Sequence, residues 1–110
     1  MSVIITTYKD NEYIDGCISS VLKQDYPSGK IQIIVSVNGM EVEYYNRLCK
    51  KYSSQSSINV IYTSQKGLPV ARNFALQYVT SDYLTYLDDD DYFTSGYIKE
   101  MAKHALGEAD

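Results

Sequence analysis

The run IQIIVSV occupies positions 31–37, and its five apolar residues are all β-branched. Isoleucine and valine favour extended backbone, and the two-residue repeat of a strand places these side chains on both of its faces. A strand that is buried on both faces is typical of a mainly parallel sheet covered by helices. The run therefore predicts an α/β fold.

Strand-like and helix-like segments alternate on either side of this run. Short apolar runs predict three more strands, at residues 2–7, 59–63 and 83–87. Apolar residues at helical spacing predict four helices. The first helix, within residues 11–24, would turn inward Tyr13, Ile14, Cys17, Ile18, Val21 and Leu22, and the second would turn inward Val42, Tyr45, Leu48, Cys49 and Tyr52. The third, which Gly67-Leu68-Pro69 opens, would turn inward Val70, Phe74, Ala75, Tyr78 and Val79, and the fourth, from about Ser95, would turn inward Ile98, Met101, Ala102 and Ala105. The order β-α-β-α-β-α-β-α predicts a parallel sheet of about four strands with helices on both faces.

The composition excludes several classes of protein. The 110 residues, 45% of them apolar, suffice for the core of one domain. The net charge of −4 argues against a nucleic-acid-binding domain, which needs a basic face. No apolar run approaches the roughly 20 residues of a membrane-spanning helix, and the N-terminus lacks the features of a signal peptide. We therefore expect a cytoplasmic location, free or peripheral at the inner face of the membrane.

The cysteines and the histidine offer little chemistry. Cys17 and Cys49 have no second Cys or His at metal-ligand spacing, which argues against a zinc site. Both fall on predicted inward helix faces, so we expect two buried, reduced thiols. His104 is the only histidine, and a His-based triad would have to be built around it alone.

Ligands of parallel α/β sheets bind beyond the carboxyl ends of the strands, where the strand order reverses. This rule selects residues 6–11, 37–41, 64–73 and 88–92. Within them, Thr6-Thr7-Tyr8 could hold a nucleobase or a ribose, with Tyr8 available for stacking, and Asn38 could read a base edge through its amide. Lys66 and Arg72 flank the start of the third helix, where anions are favoured. Each also has an ordinary interpretation, as a strand residue, a turn residue or a solvated charge.

Four consecutive carboxylates follow the fourth strand, at Asp88, Asp89, Asp90 and Asp91. In an extended segment, Asp88 and Asp90 would share one face and Asp89 and Asp91 the other. Paired carboxylates suit Mg²⁺ or Mn²⁺, which would let them lie beside an anionic diphosphate. Alternatively, Asp91 caps the last helix, or the cluster is a solvated turn. The EF-hand pattern fails at Tyr92 and Phe93, and the patterns GxxxxGK[ST] and GxGxxG are absent.

Four pieces of the chain carry a family resemblance: VIITTY at 3–8, NEYI through SSVLKQDYP at 11–27, GLPVARN at 67–73 and YLTYLDDDD at 83–91. The last two are similar to the segments G-x-x-x-A-R-N and [YF]-[IVL]-x-F-L-D-x-D-D, which contains a DxD motif. Taken in this order, the four pieces resemble family 2 of the inverting glycosyltransferases. The resemblance implies a Rossmann-like GT-A fold and a metal-assisted enzyme that transfers sugar from a nucleotide-sugar donor to an acceptor hydroxyl.

The resemblance also implies roles for individual residues. The donor is most often a UDP-sugar, whose uracil Thr6 and Tyr8 would contact. Asp90 would ligate a divalent metal, Mn²⁺ or Mg²⁺, and Asp88 or Asp89 would hold the ribose or the sugar. Arg72 would lie close to the nucleotide. The acceptor would be a carbohydrate or another hydroxyl compound, in polysaccharide or glycan biosynthesis.

Two departures from the family pattern qualify these expectations. Val37 and Asn38 stand where the family usually has an acidic pair that reads uracil, so Asn38 becomes the candidate base reader. Nothing in residues 1–110 matches the acceptor-binding half or its general base, so we expect the chain to be the nucleotide-sugar-binding portion. We expect it to bind donor and metal, to transfer sugar poorly by itself, and to form a homo-oligomer through exposed apolar surface.

Two alternatives remain open from the residues themselves. The chain could be a non-catalytic nucleotide-binding or metal-binding module. It could also be another α/β enzyme, such as a nucleotidyltransferase, or a phosphohydrolase with Asp88 or Asp90 as nucleophile.

Overall fold

The computed structural model describes residues 1–39 and 42–106, in which the predicted alternation of strands and helices is confirmed. The strands are β1 (Ser2–Thr7), β2 (Gln32–Asn38), β3 (Ile58–Thr63) and β4 (Leu84–Asp88). The helices are α1 (Ile14–Leu22), α2 (Val42–Lys51), α3 (Leu68–Leu76) and α4 (Tyr97–Leu106), and a short 3₁₀ turn covers Ser28–Lys30. Within the described residues, no helix combines the length and apolar character needed to cross a membrane.

The four strands form one parallel sheet in the order β3-β2-β1-β4. The chain builds outward from β1 to β3 and then returns to place β4 on the other side of β1. Thr6 consequently has Ser36 on one side and Asp88 on the other. The strand order reverses between β1 and β4, so a crevice at their carboxyl ends is the expected ligand site.

Each face of the sheet has its own apolar core, because alternate side chains of a strand point to opposite faces. On one face, Val3 and Ile5 of β1 belong to a cluster with buried residues of α1, α2 and α4. On the other face, Ile4 and Ile34 cluster with Ala75 of α3. The expected sheet with helices on both faces is therefore confirmed.

Three predicted helix faces need correction. In α1, Tyr13 and Leu22, expected inward, are exposed. In α2 the buried residues are Tyr44 and Leu48, whereas Val42, expected inward, is exposed. Tyr44 turns inward because its hydroxyl hydrogen-bonds to Thr7 of β1. In α3 the buried residues are Ala71 and Ala75, and the helix ends before Tyr78, which is exposed. Small alanines allow this helix to lie close to the sheet.

The cysteines also differ from each other. Both are free thiols, as expected, and Cys17 is buried. Cys49 is only partly buried, because α2 turns Tyr44 and Leu48 toward the sheet in its place.

Buried Gln24 joins the end of α1 to the start of α4. Its side-chain oxygen accepts a hydrogen bond from the backbone N–H of Ile98 at 2.9 Å. Its side-chain NH₂ donates to the carbonyls of Ser20 and Thr94, at 3.0 and 2.7 Å. One amide thus joins backbone groups at the end of α1 and the start of α4, and it supplies an acceptor for the N–H of Ile98, which lies in the first turn of α4 and has no acceptor within the helix.

Replacing this amide tests its contribution to the fold. We expect Gln24→Ala to lower the free energy of unfolding by about 1–3 kcal/mol, because the buried N–H of Ile98 loses its acceptor. Urea denaturation followed by circular dichroism measures the change. Gln55→Ala, which removes an exposed amide, is the matched control and should change the value by less than about 0.5 kcal/mol. Equal stability of the two variants would contradict this role of Gln24.

Candidate functional site

A cavity of about 640 Å³ lies at the carboxyl ends of the strands. All four segments that the strand-end rule selected contribute to its wall. Its lining residues are Thr6, Thr7, Tyr8, Lys9, Asn38, Gly39, Lys66, Gly67, Leu68, Asp88, Asp89 and Asp90. Six of the seven predicted site residues are therefore brought together, and Arg72 does not line the cavity. Sequence reasoning missed Lys9, which lies inside a selected segment but belongs to no motif.

The β1 end of the cavity combines a buried residue with an exposed ring. Thr6 is buried between β2 and β4, whereas the side chain of Tyr8 is 66% exposed. An exposed aromatic ring at a cavity wall can stack on a planar ligand. This placement is compatible with the predicted contacts to a base, which stay predictions.

Asn38 is almost fully buried and bridges two parts of the cavity wall. In the orientation that satisfies both amide atoms, its NH₂ donates to the carbonyl of Thr7 and its oxygen accepts from the N–H of Gly67, both at 3.1 Å. Gly39 and Gly67 have φ values of 107° and 112°, which favour glycine over other residues. The backbone of β1 and the start of α3 thus fix the orientation of this amide.

The four aspartates do not form the extended segment that the sequence suggested. β4 ends at Asp88, and the N–H of Asp91 donates to the carbonyl of Asp88 at 3.0 Å, which closes a turn. Carboxylate oxygens of Asp88, Asp90 and Asp91 consequently lie within 4.8 Å of one another. The expected pairing of Asp88 with Asp90 is found, but the expectation that Asp91 faces away with Asp89 is wrong. We call Asp88–Asp91 the acidic turn.

Asp89 is held by hydrogen bonds to the β1 side of the cavity. Its Oδ2 accepts from the hydroxyl of Thr7 at 2.7 Å and from the side-chain NH₂ of Asn11 at 2.8 Å. The oxygen of the Asn11 amide in turn accepts from the N–H groups of Tyr13 and Ile14 at the start of α1. Sequence reasoning placed Asn11 in the strand-end segment 6–11 and at the start of a helix but gave it no role of its own, although Asn before an apolar helical stripe is a capping signal.

Arg72 lies behind the acidic turn. Its guanidinium stacks on the ring of Tyr86, 4.7 Å from the centroid, and its Nη2 is 4.0 Å from Oδ1 of Asp88. The Nε of Arg72 is buried and has no hydrogen-bond partner within the described residues. The structure therefore places Arg72 beside Asp88, where its charge offsets part of the local negative charge.

The donor set of the acidic turn fits a hard divalent cation. Three exposed carboxylates with oxygens this close repel one another, and Mg²⁺ or Mn²⁺ prefers oxygen ligands of this kind. The predicted ligand Asp90 belongs to the group, together with Asp88 and Asp91. The residues present are thus compatible with the expected metal.

Cys17 of α1 contacts the first residue of the acidic turn. Its thiol donates to the carbonyl of Asp88, with 3.4 Å between sulfur and oxygen. Burial, reinforced by the negative charges of the acidic turn, raises the pKa of Cys17 to about 12. The side chain therefore remains a neutral thiol at physiological pH.

Comparison with known proteins gives consistent matches. Residues 2–110 match the profile of Glycosyl transferase family 2. "Glycosyltransferase GlyA" of Streptococcus pneumoniae is 30% identical over 105 residues, which are 94% of this chain and 14% of GlyA. "Poly(ribitol-phosphate) beta-N-acetylglucosaminyltransferase TarS" of Staphylococcus aureus is 28% identical over 103 residues, 92% of this chain and 18% of TarS. The chain thus spans less than a fifth of either relative.

A solved structure shows the same fold. The crystal structure of S. aureus TarS 1-349 in complex with UDP-GlcNAc aligns with a TM-score of 0.83 at 25% sequence identity. The alignment covers 96% of this chain and 31% of that chain.

The raised pKa of Cys17 predicts an unreactive thiol. In a Cys49→Ser variant at pH 8, we expect Ellman's reagent to leave Cys17 unmodified in the folded chain, because the thiolate is the reactive form. Urea should make the same thiol react at once, because unfolding exposes the buried side chain. Rapid modification at pH 8 before unfolding would contradict the burial of Cys17 behind the acidic turn.

Proposed function

Because the chain belongs to glycosyl transferase family 2, we propose that residues 1–110 form the nucleotide-sugar-binding portion of a glycosyltransferase. The enzyme would transfer a sugar from a nucleoside-diphosphate donor, a UDP-sugar, to an acceptor hydroxyl. The observation that carries the proposal is one cavity lined by the end of β1, the amide of Asn38 and the acidic turn. The UDP-GlcNAc complex of the structurally similar TarS supports a uridine donor.

The uracil would lie at the β1 side of the cavity. Tyr8 offers an exposed ring for stacking. After its two backbone bonds, the Asn38 amide retains one N–H and one oxygen lone pair. The remaining N–H can donate to a carbonyl of uracil, and the remaining lone pair can accept from the ring N–H of uracil. At the corresponding edge of cytosine the ring nitrogen is an acceptor and the amino group is a donor. An amide in place of a carboxylate is therefore compatible with a uridine donor.

The diphosphate would lie toward the acidic turn. Asp90, with Asp88 and Asp91, would hold Mn²⁺ or Mg²⁺. When bound, the cation supplies positive charge that stabilises the negative charge developing on the diphosphate leaving group. Lys9 and Lys66 line the same cavity and add cationic side chains that attract the diphosphate. Asp88 borders both the cavity and Arg72, and it is our candidate to orient the ribose or the sugar.

The acceptor side of the reaction is proposed to lie outside these residues. Inverting transfer needs a general base that takes the proton of the acceptor hydroxyl. The carboxylates that line the cavity are those of Asp88, Asp89 and Asp90, and each has another proposed task. We infer that a carbohydrate or similar polymer supplies the hydroxyl, since TarS is named for transfer to poly(ribitol-phosphate).

Calorimetric titration tests the donor and the metal together. We expect UDP to bind the chain in the presence of Mn²⁺ and to bind roughly tenfold more weakly without it, because the acidic turn then repels the diphosphate. GDP and CDP should bind more weakly than UDP. Asp90→Asn should abolish the effect of Mn²⁺ on UDP affinity, since it removes a proposed ligand.

Asp82→Asn is the matched control, because it removes the same charge from an exposed aspartate just before β4, at the opposite end of the strand from the acidic turn. It should retain the full effect of Mn²⁺. If the wild-type chain binds no UDP, or if the two variants behave alike, the proposed donor site is wrong.

A further inference from the structure

Resting on the proposed function, we propose that Asp89 is a positioning residue, which holds the turn after β1 in register with the metal-binding carboxylates and does not itself contact the donor. The turn in question is formed by Tyr8, Lys9 and Asp10. This assigns a separate task to one member of the acidic turn, for which the sequence alone left ribose or sugar contact open.

One carboxylate oxygen of Asp89 closes this turn. Thr7 and Asn11 flank the three turn residues, and both donate to the same atom, Oδ2 of Asp89, at 2.7 and 2.8 Å. The turn is therefore fastened at each end to the acidic turn, which directly follows β4. Because Asp88 and Asp90 are the immediate neighbours of Asp89, the same bonds set the distance between the base-contacting side and the metal-binding side of the cavity.

The direction of the hydrogen bonds follows from chemistry. An ionised carboxylate only accepts, so the single hydroxyl proton of Thr7 points to Asp89. Tyr44 must then donate to the oxygen of Thr7, from which its own oxygen is 2.8 Å away. The resulting chain runs from Tyr44 through Thr7 to Asp89. Each bond in such a chain polarises the next, which strengthens all of them.

Burial protects this chain from water. Thr7 is 3% exposed and Tyr44 is 2% exposed. Burial also raises the pKa of Tyr44 to about 12, so its hydroxyl keeps the proton that it donates. Hydrogen bonds in such surroundings are costly to leave unmade, so the arrangement is rigid.

Two further contacts extend the same framework. Asn11 caps α1 with its amide oxygen, so the turn and the helix move together. Arg47 of α2 donates to Asp10 at 2.8 Å, although this pair is exposed and contributes little by itself. The turn formed by residues 8–10 is therefore tied to the acidic turn, to α1 and to α2.

The two hydrogen bonds at Oδ2 also argue against contact between Asp89 and the nucleotide sugar. Two hydrogen-bond donors already occupy this oxygen, which leaves only Oδ1 of Asp89 to accept from a ribose hydroxyl. Asp88 and Asp90 are more exposed than Asp89 and are better placed to meet a ligand.

Binding of UDP with Mn²⁺ to variants tests the proposal. We expect Asp89→Ala to weaken UDP binding about tenfold, because the turn loses its fastening. Asp89→Asn keeps an acceptor oxygen for Thr7 and Asn11 and should stay within about threefold of wild type. Asp89→Asn as weak as Asp89→Ala would overturn the proposal, and thermal melting of each variant checks that it is folded at the assay temperature.

A second pair of variants acts at a distance from the ligand. Tyr44 does not line the cavity, yet Tyr44→Phe removes the first donor of the chain and should weaken UDP binding about threefold. Tyr52→Phe is the matched control, because its hydroxyl donates to Asp15 outside the cavity. Its UDP affinity should equal that of wild type, and equal affinities for both variants would contradict a positioning role.

The ribose analogue 2′-deoxy-UDP separates positioning from direct contact. If Asp89 only positions, the ratio of UDP to 2′-deoxy-UDP affinity should be the same in wild type and Asp89→Ala. A ratio that falls to one in Asp89→Ala would show that Asp89 touches the ribose. If wild type binds no UDP, the proposed function fails as well, whereas UDP binding that is equal in wild type and Asp89→Ala overturns the positioning role alone.

Discussion

The central constraint of this structure is that β1 pairs with both β2 and β4 in parallel. The pairing is possible because β1 is buried along its whole length and presents apolar side chains to the cores on both faces. It brings the carboxyl ends of three strands to one edge of the sheet, and the reversal of strand order leaves a crevice there. The cavity is thus a product of topology, and the polar residues at the strand ends give it chemistry.

Charge is distributed unevenly around this cavity. The acidic turn concentrates exposed carboxylates on one side, while Lys9 and Lys66 lie among the lining residues. Arg72 approaches Asp88 only to 4.0 Å, so it offsets the negative charge in part. Such a site suits a ligand that is anionic but arrives with a cation, and a metal complex of a nucleoside diphosphate has this character. Membership of glycosyl transferase family 2 favours this interpretation over the nucleotidyltransferase alternative.

The sequence predicted what depends on local pattern. The bounds of β1, the order of elements and the clustering of six site residues follow from β-branched runs, helical spacing and the rule of strand ends. The predicted inward face of α2 was wrong at Val42 and missed Tyr44, because helical spacing does not show that Tyr44 has Thr7 as a hydrogen-bond partner. The grouping of Asp91 with Asp88 depends on a backbone hydrogen bond, and the bond from Asn11 to Asp89 joins residues 78 positions apart. Neither contact produces a periodic pattern of residues in the sequence from which it could have been predicted.

The placement of β4 beside β1 has a consequence for how the chain folds. Thr7 and Asp89 are 82 positions apart, whereas Ser2 and its β2 neighbour Gln32 are 30 positions apart. Closing the longer loop loses roughly 1 kcal/mol more chain entropy than closing the shorter one. The crevice that we propose as the donor site therefore rests on one of the most non-local contacts of the sheet, and contacts of this kind slow the search for the native topology.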